Sequence, residues 1–177
     1  MTTGLAPAEP DTEDWTWVLQ RPCPECGLDA GALAPQEVAG RVRDVTLAWR
    51  AVLARDGVRD RPAPRTWSPL EYGAHVRDVL RTADVRLTSL LEQDDPVFAD
   101  WDQDATALAD RYGEQDPAAV AEQLDAAAQV VARLLDGVRD GAWQRPGRRS
   151  NGSVFTVATL AQYVLHDVVH HLHDVAG

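Results

Sequence analysis

The 177-residue chain contains no lysine, and all seventeen of its basic residues are arginine. Its 28 acidic residues leave a formal net charge of −11 and a pI of about 4.7. An average charge of this sign repels a phosphate backbone, so nucleic acid is not an expected partner.

The sequence also lacks an apolar run long enough to cross a membrane, and its N-terminus has no signal-peptide pattern. We therefore expect a cytoplasmic protein that does not use a membrane. A chain of 177 residues can bury the core of one full domain and is short for two.

Four amphipathic stripes are present, and no segment shows a convincing β alternation. They predict an all-α fold, a four-helix bundle with one long crossover connection. The clearest start is Ser68-Pro69-Leu70-Glu71, which combines an N-cap serine, a proline at N1 and a glutamate at N3. The long connection is the acidic segment 92–116, interpreted as a solvated loop. We assign residues 1–34 to an irregular N-terminal arm, with a disordered leader over 1–13, and residues 35–177 to the bundle.

The last stripe carries four of the five histidines: His166, His170, His171 and His173. On a helix His166 and His170 project from one face, one turn apart, and such a pair can bind one metal ion. His75, on the second stripe, is the remaining histidine and the candidate third ligand. His171 points away from the face shared by His166 and His170, whereas His173 lies on their side. Alternatively, a histidine-rich helix end is polar surface that suits the helix dipole.

The two cysteines, Cys23 and Cys26, form a Cys-x-x-Cys pair in an arm that also contains Trp15 and Trp17. In a reducing compartment such a pair favours metal binding or redox activity over a structural disulfide. It could supply half of a four-ligand zinc site, but no second pair of ligands is evident nearby in the sequence. We interpret the pair as two thiols of a tight turn and leave a second metal open. The tryptophans need cover, so the arm is expected to pack onto the bundle.

A turn-rich loop before the last helix holds Arg145, Arg148 and Arg149, and Ser153 is the candidate N-cap of that helix. Guanidinium groups beside a helix N-terminus can hold an anionic substrate group. The alternative is that these arginines only balance the acidic surface.

Two stretches resemble the DinB-like superfamily of four-helix bundles: Trp67–His75, with a histidine on the second helix, and Leu165–Asp174, with His-x-x-x-His on the fourth. The loop from Trp143 to Gly152 is also similar. The resemblance spans roughly residues 35–175. The superfamily includes mycothiol-dependent maleylpyruvate isomerases and bacillithiol transferases. Its core pattern does not explain the Cys-x-x-Cys arm, which resembles an addition found in some actinobacterial members. The resemblance implies an up-down-down-up bundle with zinc or nickel at His75, His166 and His170.

Three imidazoles leave a metal position open for water or substrate. By the resemblance, the leading hypothesis is an S-transferase or isomerase that uses a low-molecular-weight thiol, such as mycothiol, and a small-molecule substrate. The alternatives are a metal-dependent hydrolase and a non-catalytic metal-binding stress-response protein. A homodimer is left open.

Overall fold

The computed structural model describes residues 8–10 and 13–176, so most of the leader predicted over 1–13 lies outside the described residues. The described chain is mainly helical, and its four long helices match the four predicted stripes. The helices are α1 Val38–Leu53, α2 Pro69–Glu92, α3 Gln103–Ala109, α4 Pro117–Asp136 and α5 Val157–Ala176.

The start of α2 has the predicted capping box. Ser68 Oγ accepts from the Glu71 N–H at 3.3 Å, and Glu71 Oε2 accepts from the Ser68 N–H at 2.8 Å. Arg61 Nε donates to the same Glu71 carboxylate at 2.8 Å. Buried charge needs such partners, so this cluster fixes where α2 begins and which way its face turns.

The bundle core lies between two pairs of helices. Helices α1 and α2 each pack against both α4 and α5, whereas α1 and α2 touch each other only slightly. Fully buried residues from every long helix fill the centre: Trp49, Leu70, Leu80, Leu87, Leu124, Leu160 and Leu165. A four-helix bundle is therefore confirmed, while the up-down-down-up order stays a prediction.

A small sheet, which the sequence did not predict, joins the long connection to the loop before α5. Its strands are β1 Val97–Phe98, β2 Pro146–Arg149 and β3 Val154–Thr156, with β1 parallel and β3 antiparallel to β2. Strands of two to four residues are too short to show a reliable period, which is why the pattern gave no signal.

Strand β3 also moves the start of α5 beyond the predicted N-cap, Ser153. Thr156 Oγ1 accepts from the Thr159 N–H at 3.2 Å, and the Thr156 N–H donates to Thr159 Oγ1 at 2.8 Å. The Ser153 assignment was therefore wrong, because residues 154–156 are held in the sheet and the cap falls at their end.

The acidic connection is more ordered than the predicted solvated loop. It contains β1, α3 and a 3-10 turn at Tyr112–Glu114. Tyr112 is buried, and its hydroxyl donates to Asp78 Oδ2 at 2.7 Å. This contact fastens the connection to α2 close to His75.

The N-terminal arm packs on α5, as its tryptophans predicted. A 3-10 helix at Trp15–Leu19 contacts α5. Val18 and Cys23 are buried, and Gln162 Nε2 on α5 donates to the Leu33 carbonyl at 2.7 Å. The arm therefore lies directly over the histidine-bearing helix. Among the described residues, no helix is both long and apolar enough to span a bilayer.

Candidate metal centres

Helix α5 presents two ligand pairs with the same spacing. His166 and His170 are four residues apart, and so are Asp167 and His171. Because each residue turns a helix by about 100°, the second pair faces a direction about 100° from the first. The two pairs therefore meet different parts of the molecule.

The first ligand group joins α5 to α2 and consists of His75, Asp167 and His171, whose ligand atoms lie within 4.8 Å of one another. Asp167 Oδ1 is 3.6 Å from Nε2 of His75 and 3.6 Å from Nε2 of His171. These separations are too long for hydrogen bonds, yet the polar atoms converge. We call this set the bundle group.

His75 is fully buried within the bundle group. Its ring stacks on Trp101, with centroids 5.5 Å apart and planes at 6°, and the Trp67 ring lies 5.1 Å away. Neither His75 nitrogen, nor Asp167 Oδ1, has a hydrogen-bond partner in the described part of the chain. A buried polar atom left without a partner is costly, so the converging His75 Nε2 and Asp167 Oδ1 fit a bound cation.

The third member is oriented by a carboxylate behind it. His171 Nδ1 and Asp174 Oδ2 are 2.9 Å apart, which leaves Nε2 directed to Asp167. A carboxylate behind a ligating imidazole fixes its tautomer and orientation. The bundle group thus has both its converging atoms and a supporting contact.

Burial favours the metal-binding form of His75, and neighbouring groups favour the metal-binding form of Asp167. Burial lowers the pKa of His75, which keeps the imidazole neutral. Burial raises the pKa of Asp167. The contact with His75 and the charge of His171 lower it by more than burial raises it, so the carboxylate stays ionised. Neutral imidazoles and an ionised carboxylate are the forms that ligate metals.

The second ligand group joins α5 to the N-terminal arm. It consists of Cys23, Cys26, His166 and His170, whose ligand atoms also lie within 4.8 Å of one another. Cys23 Sγ is 3.6 Å from Nδ1 of His170. The Trp15 ring covers both imidazoles, with centroids 5.8 Å from His166 and 5.0 Å from His170. We call this set the arm group.

The predicted triad of His75, His166 and His170 is divided between the two groups. Within the described residues, no set of converging ligand atoms contains His75 together with His166 or His170. His171 does lie off the face of His166 and His170, as predicted, but that side faces His75, with ring centroids 4.9 Å apart. Whether the three predicted ligands share one ion stays a prediction. His173 is exposed.

Two features of these groups escaped the sequence analysis. Asp167 and His171 were not considered as a pair, although their i, i+4 spacing equals that of His166 and His170 and carboxylate and imidazole both ligate zinc. The premise that Cys23 and Cys26 lack partner ligands also needs correction, whereas their interpretation as turn thiols stays untested. The second ligand pair lies about 140 residues downstream, where only the folding of the arm onto α5 brings it into contact.

The three candidate arginines are used differently. Arg145 Nε donates to the Leu90 carbonyl at 2.8 Å, and Arg148 Nη2 donates to Asp95 at 2.6 Å. Both therefore hold the loop to the end of α2. Arg149 is largely buried, and within the described chain its Nε has no hydrogen-bond partner, with Asp100 Oδ1 3.7 Å away.

A cavity of about 90 Å³ lies beside the bundle group, with Asp167, Arg149 and Arg86 in its wall. Burial, followed by the charge of Arg149, lowers the pKa of Arg86 to about 10. An anion between the two guanidinium groups would offset the repulsion that Arg149 exerts on Arg86. Nearer the C-terminus of α5 a cavity of about 360 Å³ is lined by His170 and His171 and by the acidic side chains of Glu9, Glu13, Glu25, Asp104 and Asp174.

The sequence of the bundle matches a known protein family. A family model described as the DinB superfamily matches residues 39–175. The chain belongs to the DinB superfamily. The resemblance proposed from the sequence is thus confirmed, whereas its actinobacterial type stays a prediction. No curated protein matches.

A solved structure shares the DinB fold of this chain. It is YfiT from Bacillus subtilis, described as a probable metal-dependent hydrolase with an unusual four-helix bundle topology. The TM-score is 0.71 and the identity 18%, and the match covers 80% of this chain and 83% of that one. At this identity the likeness establishes the fold alone.

Proposed function

We propose that this DinB superfamily member is a divalent-metal-dependent enzyme that acts on a small anionic substrate, with the bundle group as its metal site. The observation that supports this most is the convergence of His75 Nε2, Asp167 Oδ1 and His171 Nε2. Two of the three residues carry buried atoms without hydrogen-bond partners among the described residues. Three protein ligands are the usual number in catalytic metal sites, because a further position stays open.

The residues around the bundle group have separate roles. His75, Asp167 and His171 would hold a zinc or nickel ion, which supplies Lewis acidity toward a substrate oxygen or sulfur. Trp101 and Trp67 exclude water from the His75 ring. Arg149 and Arg86 would bind the anionic part of the substrate in the adjoining cavity, which also reaches Asp167.

Metal-dependent hydrolysis is the reaction that this ligand set favours. Two imidazoles and one carboxylate, with an open position, are a common ligand set of zinc hydrolases. The description of YfiT as a probable metal-dependent hydrolase agrees with this proposal.

Transfer to a low-molecular-weight thiol, such as mycothiol, is the second candidate. It is favoured by a wide outer cavity of about 610 Å³ that shares Arg149 and Trp101 with the inner one, because a second, larger substrate needs such room. A small molecule and a thiol are the partners in this case.

Turnover on metal-loaded protein separates these reactions. We expect hydrolysis of small anionic esters or amides without thiol; turnover only with thiol plus an electrophile would identify the transferase. Metal binding with no turnover in either assay would support a non-catalytic metal-binding protein.

Arg149→Ala should raise KM about tenfold or more for anionic substrates, since charge-assisted hydrogen bonds contribute about 1.5–3 kcal/mol. Arg148→Ala, in the same strand and paired with Asp95, is the matched control.

A further inference from the structure

We propose that Cys23, Cys26, His166 and His170 form a second, closed metal site that holds one zinc ion and fastens the N-terminal arm to α5. This site is separate from the bundle group and does not depend on the proposed enzymatic activity. It assigns a role to the Cys-x-x-Cys motif, which the DinB family match over residues 39–175 does not include.

The spacing of the ligand atoms is that of a tetrahedral zinc site. Zinc–sulfur and zinc–nitrogen distances of about 2.3 and 2.0–2.1 Å, at a tetrahedral angle, place S and N about 3.6 Å apart. The separation of Cys23 Sγ from His170 Nδ1 is 3.6 Å. All four ligand atoms lie within 4.8 Å of one another.

Three of the four ligands are removed from water. Cys23, His166 and His170 are 1%, 3% and 7% exposed. His166 Nε2 is buried without a hydrogen-bond partner in the described part of the chain, although an imidazole at such depth needs one. Two thiols and two imidazoles, converging in a dry site, are the ligand types that select zinc over calcium or magnesium.

The loop that carries the cysteines has a fixed shape. The Cys23 N–H donates to the Leu28 carbonyl and the Gly27 N–H to the Cys23 carbonyl, each at 2.9 Å. Gly27 has φ +74°, a left-handed conformation that glycine adopts without strain. The turn therefore holds both sulfurs on one side before any ligand arrives, which lowers the entropy cost of binding.

Carboxylates lie behind the histidine ligand. His170 Nε2 is 3.7 Å from Glu25 Oε2 and 3.8 Å from Asp174 Oδ1, whereas Nδ1 faces Cys23. This arrangement matches the carboxylate–histidine–metal geometry that orients a ligating ring. Four protein ligands fill a tetrahedron, so the ion here would be structural.

The position of the site gives it a consequence for the bundle group. Trp15, which covers His166 and His170, and Glu25 both line the 360 Å³ cavity together with His171. Fastening the arm to α5 therefore shapes one wall of the space beside the proposed enzymatic site.

The test combines metal analysis with cobalt substitution on the full chain. Apart from any metal at the bundle group, the wild-type protein should contain one zinc equivalent, which is lost in Cys23→Ser/Cys26→Ser and retained in His75→Ala. Cobalt(II) added to metal-free wild type should give a thiolate-to-cobalt charge-transfer band, which is retained in His75→Ala. His173→Ala, an exposed histidine on the same helix, is the matched control and should change neither readout.

Three results would overturn the site: a Cys23–Cys26 disulfide in protein purified under reducing conditions, a cobalt spectrum without thiolate character, or full zinc content in the double serine variant. The cobalt spectrum of the wild type decides the question if the variant fails to fold. Loss of activity in His75→Ala with the thiolate band intact would show that the two proposals stand or fall separately.

Discussion

The bundle group and the arm group lie on adjacent faces of α5, and a shift of one residue separates them. Asp167 and His171 meet His75 on α2, whereas His166 and His170 meet Cys23 and Cys26 on the arm. A helix can thus serve two ligand sets from one histidine-rich segment, because successive residues point about 100° apart. The element packed against each face of α5, helix α2 or the N-terminal arm, decides which ligands complete the group on that face.

The two groups also differ in number of ligands and in support. The bundle group has three ligands, all of them on the long packed helices α2 and α5, and adjoins the cavity with Arg149. The arm group has four ligands, two of them on an irregular segment. A metal site with an open coordination position suits catalysis, whereas a site closed by four protein ligands suits a structural role. Loss of the bundle group should therefore affect activity, and loss of the arm group should affect stability.

The largest effect is expected from His75→Ala. Loss of a direct ligand should weaken metal binding at the bundle group by more than about 100-fold, since changes to supporting residues already cost about 10–100-fold. Activity should disappear with this metal, while the zinc of the arm group stays bound. Metal content and turnover, measured beside His173→Ala, check this.

The same measurements of metal content can disprove the division into two groups. If His75→Ala and His166→Ala remove the same single equivalent and His171→Ala removes none, then His75, His166 and His170 share one ion and the division into two groups is wrong.

The second effect concerns stability and the arm. An ion that binds only the folded chain stabilises it by about 2.7 kcal/mol at 100 times its Kd, which corresponds to a Tm shift of about 5–10 °C for a chain of this size. Cys23→Ser/Cys26→Ser should therefore melt earlier, and proteases should cut the arm around residues 20–30 sooner.

The bundle should nevertheless remain helical in that variant and after chelation, because its apolar core carries most of the buried area. Circular dichroism melts with and without chelator measure both parts. Complete unfolding on chelation would show that packing alone does not hold the fold, and coincident melts of metal-loaded and chelated protein would contradict both sites.

A smaller effect on both groups is expected from Asp174→Asn. Asp174 contacts His171 Nδ1 at 2.9 Å and lies 3.8 Å from His170 Nε2, so its carboxylate stands behind one histidine of each group. Metal affinity should fall about tenfold at each site. Asp44→Asn, on the exposed side of α1, is the control. An effect on one site only would show that Asp174 orients a single histidine.

The smallest effect concerns pH. Burial, followed by the neighbouring charge of His170, lowers the pKa of His166 to about 4, and burial lowers that of His75. Neutral imidazoles ligate metal, so His75 and His166 should not release it near pH 6.5, where an ordinary histidine titrates.

The stability of the chelated protein should also depend on pH, because the pKa of folded His166 is lowered. Between about pH 6.5 and 4 the unfolded chain binds protons that folded His166 does not, so this stability is present above that window and is lost as pH falls through it. Melts of chelated protein from pH 7 to pH 4 measure the loss. A Tm independent of pH across that window would contradict a buried, neutral His166.

Much of the fold could be predicted from the chain. The stripes gave the four long helices, and Ser68 with Glu71 gave the start of α2, because periodicity and capping are local properties. The strands β1–β3 could not be predicted, because each is too short to show a reliable period. The pairing of β1 with β2 also joins segments about 50 residues apart, whereas β2 and β3 pair locally. The order of α3 within the acidic connection likewise depends on contacts such as that of Tyr112 with Asp78.

The sequence by itself determined the candidate ligands: four histidines on one helix, one on α2 and a cysteine pair in the arm. It also determined their angles around α5, because the helical repeat is fixed by the backbone. Only the tertiary structure decided which angle faces α2 and which faces the arm. That choice follows from how apolar faces pack and where residues 15–33 lie on α5, and these contacts join residues about 90 and 140 positions apart. A helical period carries no information about such distant partners, so Asp167 and His171 became visible beside His75 only in the folded chain.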